Sequence, residues 1–202
     1  MMRVGFLASN NGSSFQAIVR AAEGGRLDVS PALIVSNRAA APALDFAREH
    51  GIEAYHIATR LDPAGADARL TTTLKASEVD LVILSGYLRK LGPSVLEAFD
   101  GRILNIHPAL LPKFGGQGMY GLRVHEAVLA AGENLTGASV HLVDQEYDHG
   151  PVLAQTMVAV EPGDTPQSLA ERVMAAEPGL YIDTLRRIAC GELSLPARFV
   201  GA

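Results

Sequence analysis

Arg102-Ile103-Leu104-Asn105-Ile106-His107-Pro108-Ala109-Leu110-Leu111-Pro112-Lys113-Phe114 opens as an apolar strand and closes on two prolines. Proline has no N–H to give a central ladder, so the strand is predicted to stop at His107. Asn105 and His107 lie two apart and share one face of that strand. A neutral amide donor thus stands beside an imidazole that titrates near neutral pH. Open α/β sheets bind ligands at the carboxyl ends of their strands. Two polar side chains placed there can steady a developing oxyanion, or simply cap the strand end. Asp148 lies in the polar loop Asp144-Gln145-Glu146-Tyr147-Asp148-His149-Gly150-Pro151. Its carboxylate beside His107 would favour the imidazolium and fix its orientation. Asn105, His107 and Asp148 then read as a donor, an acid/base and its orienting partner.

Around this stretch the chain alternates strands and helices. Val4-Gly5-Phe6-Leu7-Ala8 is a buried strand, followed by Ser9-Asn10-Asn11-Gly12-Ser13-Ser14 and a helix carrying Phe15, Ile18, Val19 and Ala22. A strand, a small polar loop and a helix N-terminus make an anion site, because the first N–H groups of the helix are free. The three glycines of a dinucleotide fingerprint are missing, so a phosphate on another molecule is indicated. Residues 32–35 read as a strand, 42–50 as a helix closed by Gly51, 53–57 as a strand, and 66–77 as a helix after a polar connection. Leu81-Val82-Ile83-Leu84 is the continuous apolar run of a strand buried on both faces, ending at Ser85-Gly86. Gly115 to Gly121 is a glycine-dense loop, and 125–131 a helix on which His125 reads as a surface structural residue. His141 reads as a satisfied strand residue beside the site. Residues 152–160 form a last strand, antiparallel by hairpin logic. Thr165 and Pro166 suit the N-cap and first position of a long helix, which Pro178 is expected to kink or break. The whole is an α/β fold: a doubly wound, mostly parallel sheet with antiparallel C-terminal strands.

Composition narrows the function. The chain has 202 residues, the size of one domain, and 48% of them are apolar. Net charge is −5, which supplies no broad basic field for nucleic acid. No stretch reaches the length of a membrane span, and the apolar run at the N-terminus is too short for a signal peptide. The single cysteine, Cys190, cannot form an intramolecular disulfide and suits a reducing cytoplasm. Zinc-ligand spacing is absent, so no metal is expected.

Asn105-Ile106-His107-Pro108 with Leu110-Leu111-Pro112, then Ser139-Val140-His141 and Asp148-His149-Gly150-Pro151, resembles the folate-dependent formyltransferases. The likeness runs from Arg3 to about Glu192. It implies one domain over residues 1–202, with 1–108 as the phosphate-binding half and 109–202 completing the folate and catalytic site. It implies transfer of a formyl group from the cosubstrate 10-formyltetrahydrofolate to the amine of glycinamide ribonucleotide, a step of purine biosynthesis. Asn105, His107 and Asp148 are the implied catalytic residues, with His107 protonated. Gly12, Ser13, Ser14 and Glu177 would hold the phosphorylated substrate, and Leu88, Arg89, Lys90, Leu91 and Asn105 the folate. Asn10 stands where the family usually has Gly, and Ser14 where it commonly has Asn. The family's tail-binding arginine matches Pro63, with Arg60 and Arg69 nearby. Formyltetrahydrofolate hydrolase, another amine formyltransferase and a non-catalytic folate-binding module are the alternatives. Monomer and homodimer both stay open.

Overall fold

The computed structural model describes residues 1–196; the last six residues of the expected domain lie outside the described residues. Strands β1 (Met2–Ala8), β2 (Val29–Ser36), β3 (Glu53–His56), β4 (Leu81–Leu84), β5 (Ile103–His107), β6 (Leu135–Leu142) and β7 (Val152–Ala159) form a single sheet in the order β3-β2-β1-β4-β5-β6-β7. β1 to β5 pair in parallel. β6 runs antiparallel to β5, and β7 antiparallel to β6. The chain moves outward from β1 to β3, then returns to place β4 on the other side of β1. The topological switch therefore falls between β1 and β4, where their carboxyl ends part.

Helices α1 (Ser13–Glu23), α2 (Pro42–Glu49), α3 (Pro63–Ala76), α4 (Pro93–Ala98), α5 (Leu122–Ala130) and α6 (Pro166–Ala189) cover the sheet. One core gathers Phe6, Phe15, Ile34, Leu44, Ile83, Leu104 and Tyr181; the other gathers Leu7, Leu33, Leu74, Val82, Phe99 and Ile103. Successive residues of β1 and β4 enter opposite cores, as burial on both faces requires. Phe6, Phe15 and Phe46 stack in a tilted and edge-on series with centroids 4.8 and 5.5 Å apart.

Several element ends depart from the sequence reading. α3 begins at Pro63 rather than residue 66: Asp62 caps it by accepting from the Gly65 N–H at 2.8 Å, and Pro63 takes the first position. β2 is longer than residues 32–35 and spans Val29–Ser36. α4 has no capping side chain of its own at Gly92. The buried Asp67 of α3 supplies one instead, accepting from the Ser94 and Val95 N–H groups at 2.8 and 3.2 Å. α6 runs through Pro178 as one helix. The missing N–H deprives the carbonyl of Met174, a residue 53% exposed. Leu169 and Val173 before the proline, and Tyr181 and Leu185 after it, are buried and hold the helix to the sheet through the lost bond. Thr165 caps α6 reciprocally with Ser168, as its first residues predict.

Candidate active site

The carboxyl ends of β1, β2 and β4 are tied together by short side chains. The Ser9 hydroxyl accepts from the Leu88 N–H at 2.8 Å and donates to Asn37 Oδ1 at 2.6 Å. The Ser85 hydroxyl accepts from the Phe15 N–H at 3.0 Å. That bond satisfies the third N–H of α1. Among the described residues, the Ser13 and Ser14 N–H groups have no partner, no side chain caps the helix, and its first turn has no acidic residue. An anion is favoured there by the open N–H groups and by the helix dipole. Gly12 makes this geometry possible. It is left-handed, with φ of 61°, and a Cβ would press on Ala8 and Ala43, each at 3.3 Å.

β5 brings the polar groups together on the other side of the switch. Asn105 lies opposite His141 in the antiparallel register, and His107 opposite Ser139. Ser139 is buried: its hydroxyl donates to the Ala109 carbonyl at 2.6 Å and accepts from the Leu111 N–H at 3.0 Å. Gln155 on β7 donates to the same hydroxyl at 2.8 Å. The turn after His107, with Leu111-Pro112 cis, is therefore fixed by β6 and β7.

Asp148 meets two histidines. Its Oδ2 lies 3.3 Å from His107 Nδ1, and its Oδ1 lies 3.5 Å from His141 Nε2. Oδ2 also accepts from the Gly116 N–H at 3.0 Å. His107 Nε2 faces the Phe114 carbonyl at 2.7 Å, so both ring nitrogens of His107 point at acceptors. Only the imidazolium can donate to both. Burial opposes that charge and outweighs the Asp148 carboxylate, so His107 titrates below the ordinary imidazole value. The sequence reading, in which Asp148 keeps His107 protonated, gives way here to a ring more readily neutral and a pair of acceptors waiting for its second proton. Burial pushes the Asp148 carboxyl up, but His141, His107 and the Gly116 N–H together hold it below the usual carboxylate range.

His141 is closer to the centre of this cluster than its sequence reading suggests. Its Nδ1 donates to the Leu142 carbonyl at 2.8 Å. Nε2 sits between the Asn105 amide nitrogen at 3.1 Å and Asp148. Unprotonated, Nε2 accepts from Asn105; protonated, it donates to Asp148. Strand alternation placed His141 in the sheet, but only the β5–β6 register shows that it faces Asn105. His125 also differs from the sequence reading. It is buried, not on the surface, and its Nδ1 has no hydrogen-bond partner among the described residues. Burial, with His107 close by, pulls its pKa down.

Glu177 projects from α6 one turn before Tyr181, whose hydroxyl donates toward the Leu84 and Leu104 carbonyls at 3.0 and 3.3 Å. Glu177 thus stands above the strand ends, on a helix that packs against α1. No described residue donates to it, and burial pushes its carboxyl up to about 7.

The segment Leu88-Arg89-Lys90-Leu91 crosses from β4 to α4. Leu91 is buried in the second core, while Leu88 is 61% exposed. Lys90 lies over the Tyr147 ring, 5.3 Å from its centroid, and links this segment to the Asp148 loop. Beyond them a cleft of about 1200 Å³ opens between α4, with Ser94 and Leu96, and residues Val143, Asp144, Gln145 and Glu146. Asn105, His107 and Asp148 do not line it. Among the described residues, no group of three or more His, Cys, Asp or Glu side chains is placed to hold a metal ion. No helix among them is long and apolar enough to cross a membrane.

Comparison with known proteins shows the family. The formyl transferase family model matches residues 2–185. The chloroplastic phosphoribosylglycinamide formyltransferase of Arabidopsis thaliana is 39% identical over 189 residues, which make up 92% of this chain and 65% of that protein. This chain therefore spans just under two thirds of the plant relative. The phosphoribosylglycinamide formyltransferase of Escherichia coli is 36% identical over 96% of this chain and 90% of its own length. The crystal structure of glycinamide ribonucleotide transformylase 1 from Symbiobacterium toebii superposes with a TM-score of 0.89 at 38% identity, covering 98% of this chain and 92% of that one. With the family model spanning β1 through most of α6, the chain belongs to the formyl transferase family.

Proposed function

We propose that this protein transfers a formyl group from 10-formyltetrahydrofolate to the amine of glycinamide ribonucleotide. The observation that carries the reading is the convergence of Asn105, His107, Asp148 and His141 at the end of β5, beside the switch point and the open N-terminus of α1. The relatives named above support the choice of acceptor. The half of the chain up to residue 108 supplies the phosphate side, and residues 109–202 complete the catalytic and folate sides.

The folate supplies an activated formyl carbon. Gly12, Ser13 and Ser14 hold the phosphate through backbone N–H groups, so the side-chain departures at Asn10 and Ser14 leave this contact intact. Glu177 accepts from hydroxyls of the same substrate, which supply the donors it lacks within the protein. The peptide groups and side chains of Leu88, Arg89, Lys90 and Leu91 meet the folate, whose formyl-bearing end lies against Asn105 and His107. Asn105 donates an amide N–H to the formyl oxygen as the amine adds and negative charge gathers there. One such donor is typically worth about 3 kcal/mol. His107 starts neutral and takes the proton that the amine sheds as its N–C bond forms. The resulting imidazolium keeps Asp148 as the acceptor at Nδ1, while Nε2 carries the transferred proton. It returns the proton to the folate nitrogen as the C–N bond to the carrier breaks. Displacement of the Phe114 carbonyl, at the start of the glycine-dense loop, frees Nε2 for these transfers. An exposed single cysteine fits a reducing compartment such as the cytoplasm.

The test is steady-state turnover of formyltetrahydrofolate with and without glycinamide ribonucleotide. Folate product that depends on the acceptor supports the reading; equal product without acceptor makes the protein a hydrolase.

A further inference from the structure

Between β4 and α4 the backbone is open. Among the described residues, the N–H groups of Arg89, Lys90 and Leu91 and the carbonyls of Leu88, Arg89, Lys90 and Leu91 have no partner. A run of free peptide groups keeps one shape only if its two ends are fixed from outside. Ser9 fixes the near end: its hydroxyl accepts from the Leu88 N–H at 2.8 Å, and its own N–H donates to the Gly86 carbonyl at 3.1 Å. The far end runs into Gly92 and α4, which has no side-chain cap of its own.

Asp67 fixes that end from α3. It is 8% exposed, and both carboxylate oxygens are engaged: Oδ2 accepts from the Ser94 N–H at 2.8 Å and Oδ1 from the Val95 N–H at 3.2 Å. The carboxylate also lies tight against the backbone where the open run ends. A Cβ at Gly92 would fall 2.2 Å from the Asp67 carboxyl carbon. Around this contact Leu70 and Leu74 of α3 share the second core with Leu91, Val95 and Phe99. Apolar packing is non-directional and lets one helix slide or turn on another. Two hydrogen bonds to adjacent N–H groups do not. A cap supplied by residue 92 itself would move with α4, whereas a cap supplied by α3 ties α4 to the rest of the fold.

We propose that Asp67 is a positioning residue for the folate: by anchoring the start of α4 to α3, it holds the free peptide groups of residues 88–91 in the one arrangement that the folate reads. The inference rests on the proposed function. Asp67 touches neither substrate and acts through the backbone it holds. Peptide groups ordered in advance spare the ligand the cost of ordering them. Loss of the anchor therefore weakens folate and leaves the phosphate site at Gly12, Ser13 and Ser14, across the switch point, in place.

The test is steady-state formyl transfer with each substrate varied in turn, for the wild type, Asp67→Ala, Asp67→Asn, Gly92→Ala and Thr165→Ala. Thr165→Ala removes the cap of α6, away from the segment, and controls for lost stability alone. Asp67→Ala is expected to raise the folate KM about tenfold and to leave kcat and the ribonucleotide KM within about twofold. Asp67→Asn keeps one acceptor oxygen and should hold the rise to about threefold or less. Gly92→Ala keeps the carboxylate but displaces it from the helix start, so it should raise the folate KM as Asp67→Ala does; it carries the test if Asp67→Ala fails to fold. Thr165→Ala should leave both KM values unchanged. An Asp67→Ala enzyme with a lower melting temperature and an unchanged folate KM overturns the inference, while wild-type turnover leaves the proposed function standing. So does an equal rise in both KM values, or a Thr165→Ala enzyme that raises the folate KM as far. Absence of acceptor-dependent turnover in the wild type refutes the functional reading, and the inference with it.

Discussion

Replacing Glu177 with Gln should stabilise the protein and weaken its hold on substrate. In the folded chain the carboxyl is pushed up to about 7 by burial, against an ordinary value of 4.5. The folded state therefore binds the proton more tightly than the unfolded state does. The associated stability is full below the ordinary value and is lost as pH rises from there through about 7. Each pH unit separating the two values corresponds to about 1.4 kcal/mol, so an ionised Glu177 costs about 3 kcal/mol above neutrality. The residue keeps partial access to solvent, which lowers the expected figure to about 2 kcal/mol. Gln has nearly the same shape and cannot ionise. Thermal unfolding of the two proteins should then show Glu177→Gln melting higher by roughly 4–8 °C at about pH 8, at 2–4 °C per kcal/mol for a chain of this size. The gap should close near pH 4, where the wild-type carboxyl is protonated. A variant no more stable than wild type at about pH 8 would refute the claim that this carboxylate is held against desolvation for a ligand.

Three further outcomes follow from the same geometry. His107→Gln and Asp148→Asn should each lower kcat by about two to four orders of magnitude, with small changes in KM, because they remove proton transfer rather than binding; near-normal turnover in a steady-state assay would sink the proton path. Asp67→Ala should cost about 2 kcal/mol in denaturant unfolding, since it strips two N–H groups of α4 of their acceptor; an unchanged midpoint would contradict the capping role. Burial holds His107 and His125 below the ordinary imidazole value of 6.5. Their contribution to stability is present above that value and lost as pH falls through the folded values. His125→Leu should therefore flatten the acid side of the melting-temperature profile, and an unaltered slope would contradict a buried neutral imidazole.

The sequence carried the fold wherever local chemistry was strong. The run Leu81–Leu84, the stop imposed by Pro108 and the Thr165-Pro166 start were all legible, because each follows from a single residue property. The starts of α3 and α4 escape the sequence reading: the cap of α3 is an Asp just before Pro63, and that of α4 is an Asp 25 positions away from Gly92. Sequence predicts a kink or a break at Pro178, because propensity takes no account of the four buried residues that anchor α6 on either side. Within the site, Asn105 and His107 were visible as neighbours on one strand, and Asp148 as a carboxylate in the loop that follows β6. The role of His141 was not, since it depends on the register between β5 and β6. The protonation of His107 was not legible either. Sequence shows a carboxylate partner but not the burial that outweighs it.

The central claim is that the formyl group leaves the folate and arrives on an amine. The most direct measurement is the mass of glycinamide ribonucleotide after incubation with formyltetrahydrofolate and the protein. The account predicts an acceptor heavier by one formyl group, formed in step with the folate released. An acceptor of unchanged mass, with free formate accumulating instead, would contradict it.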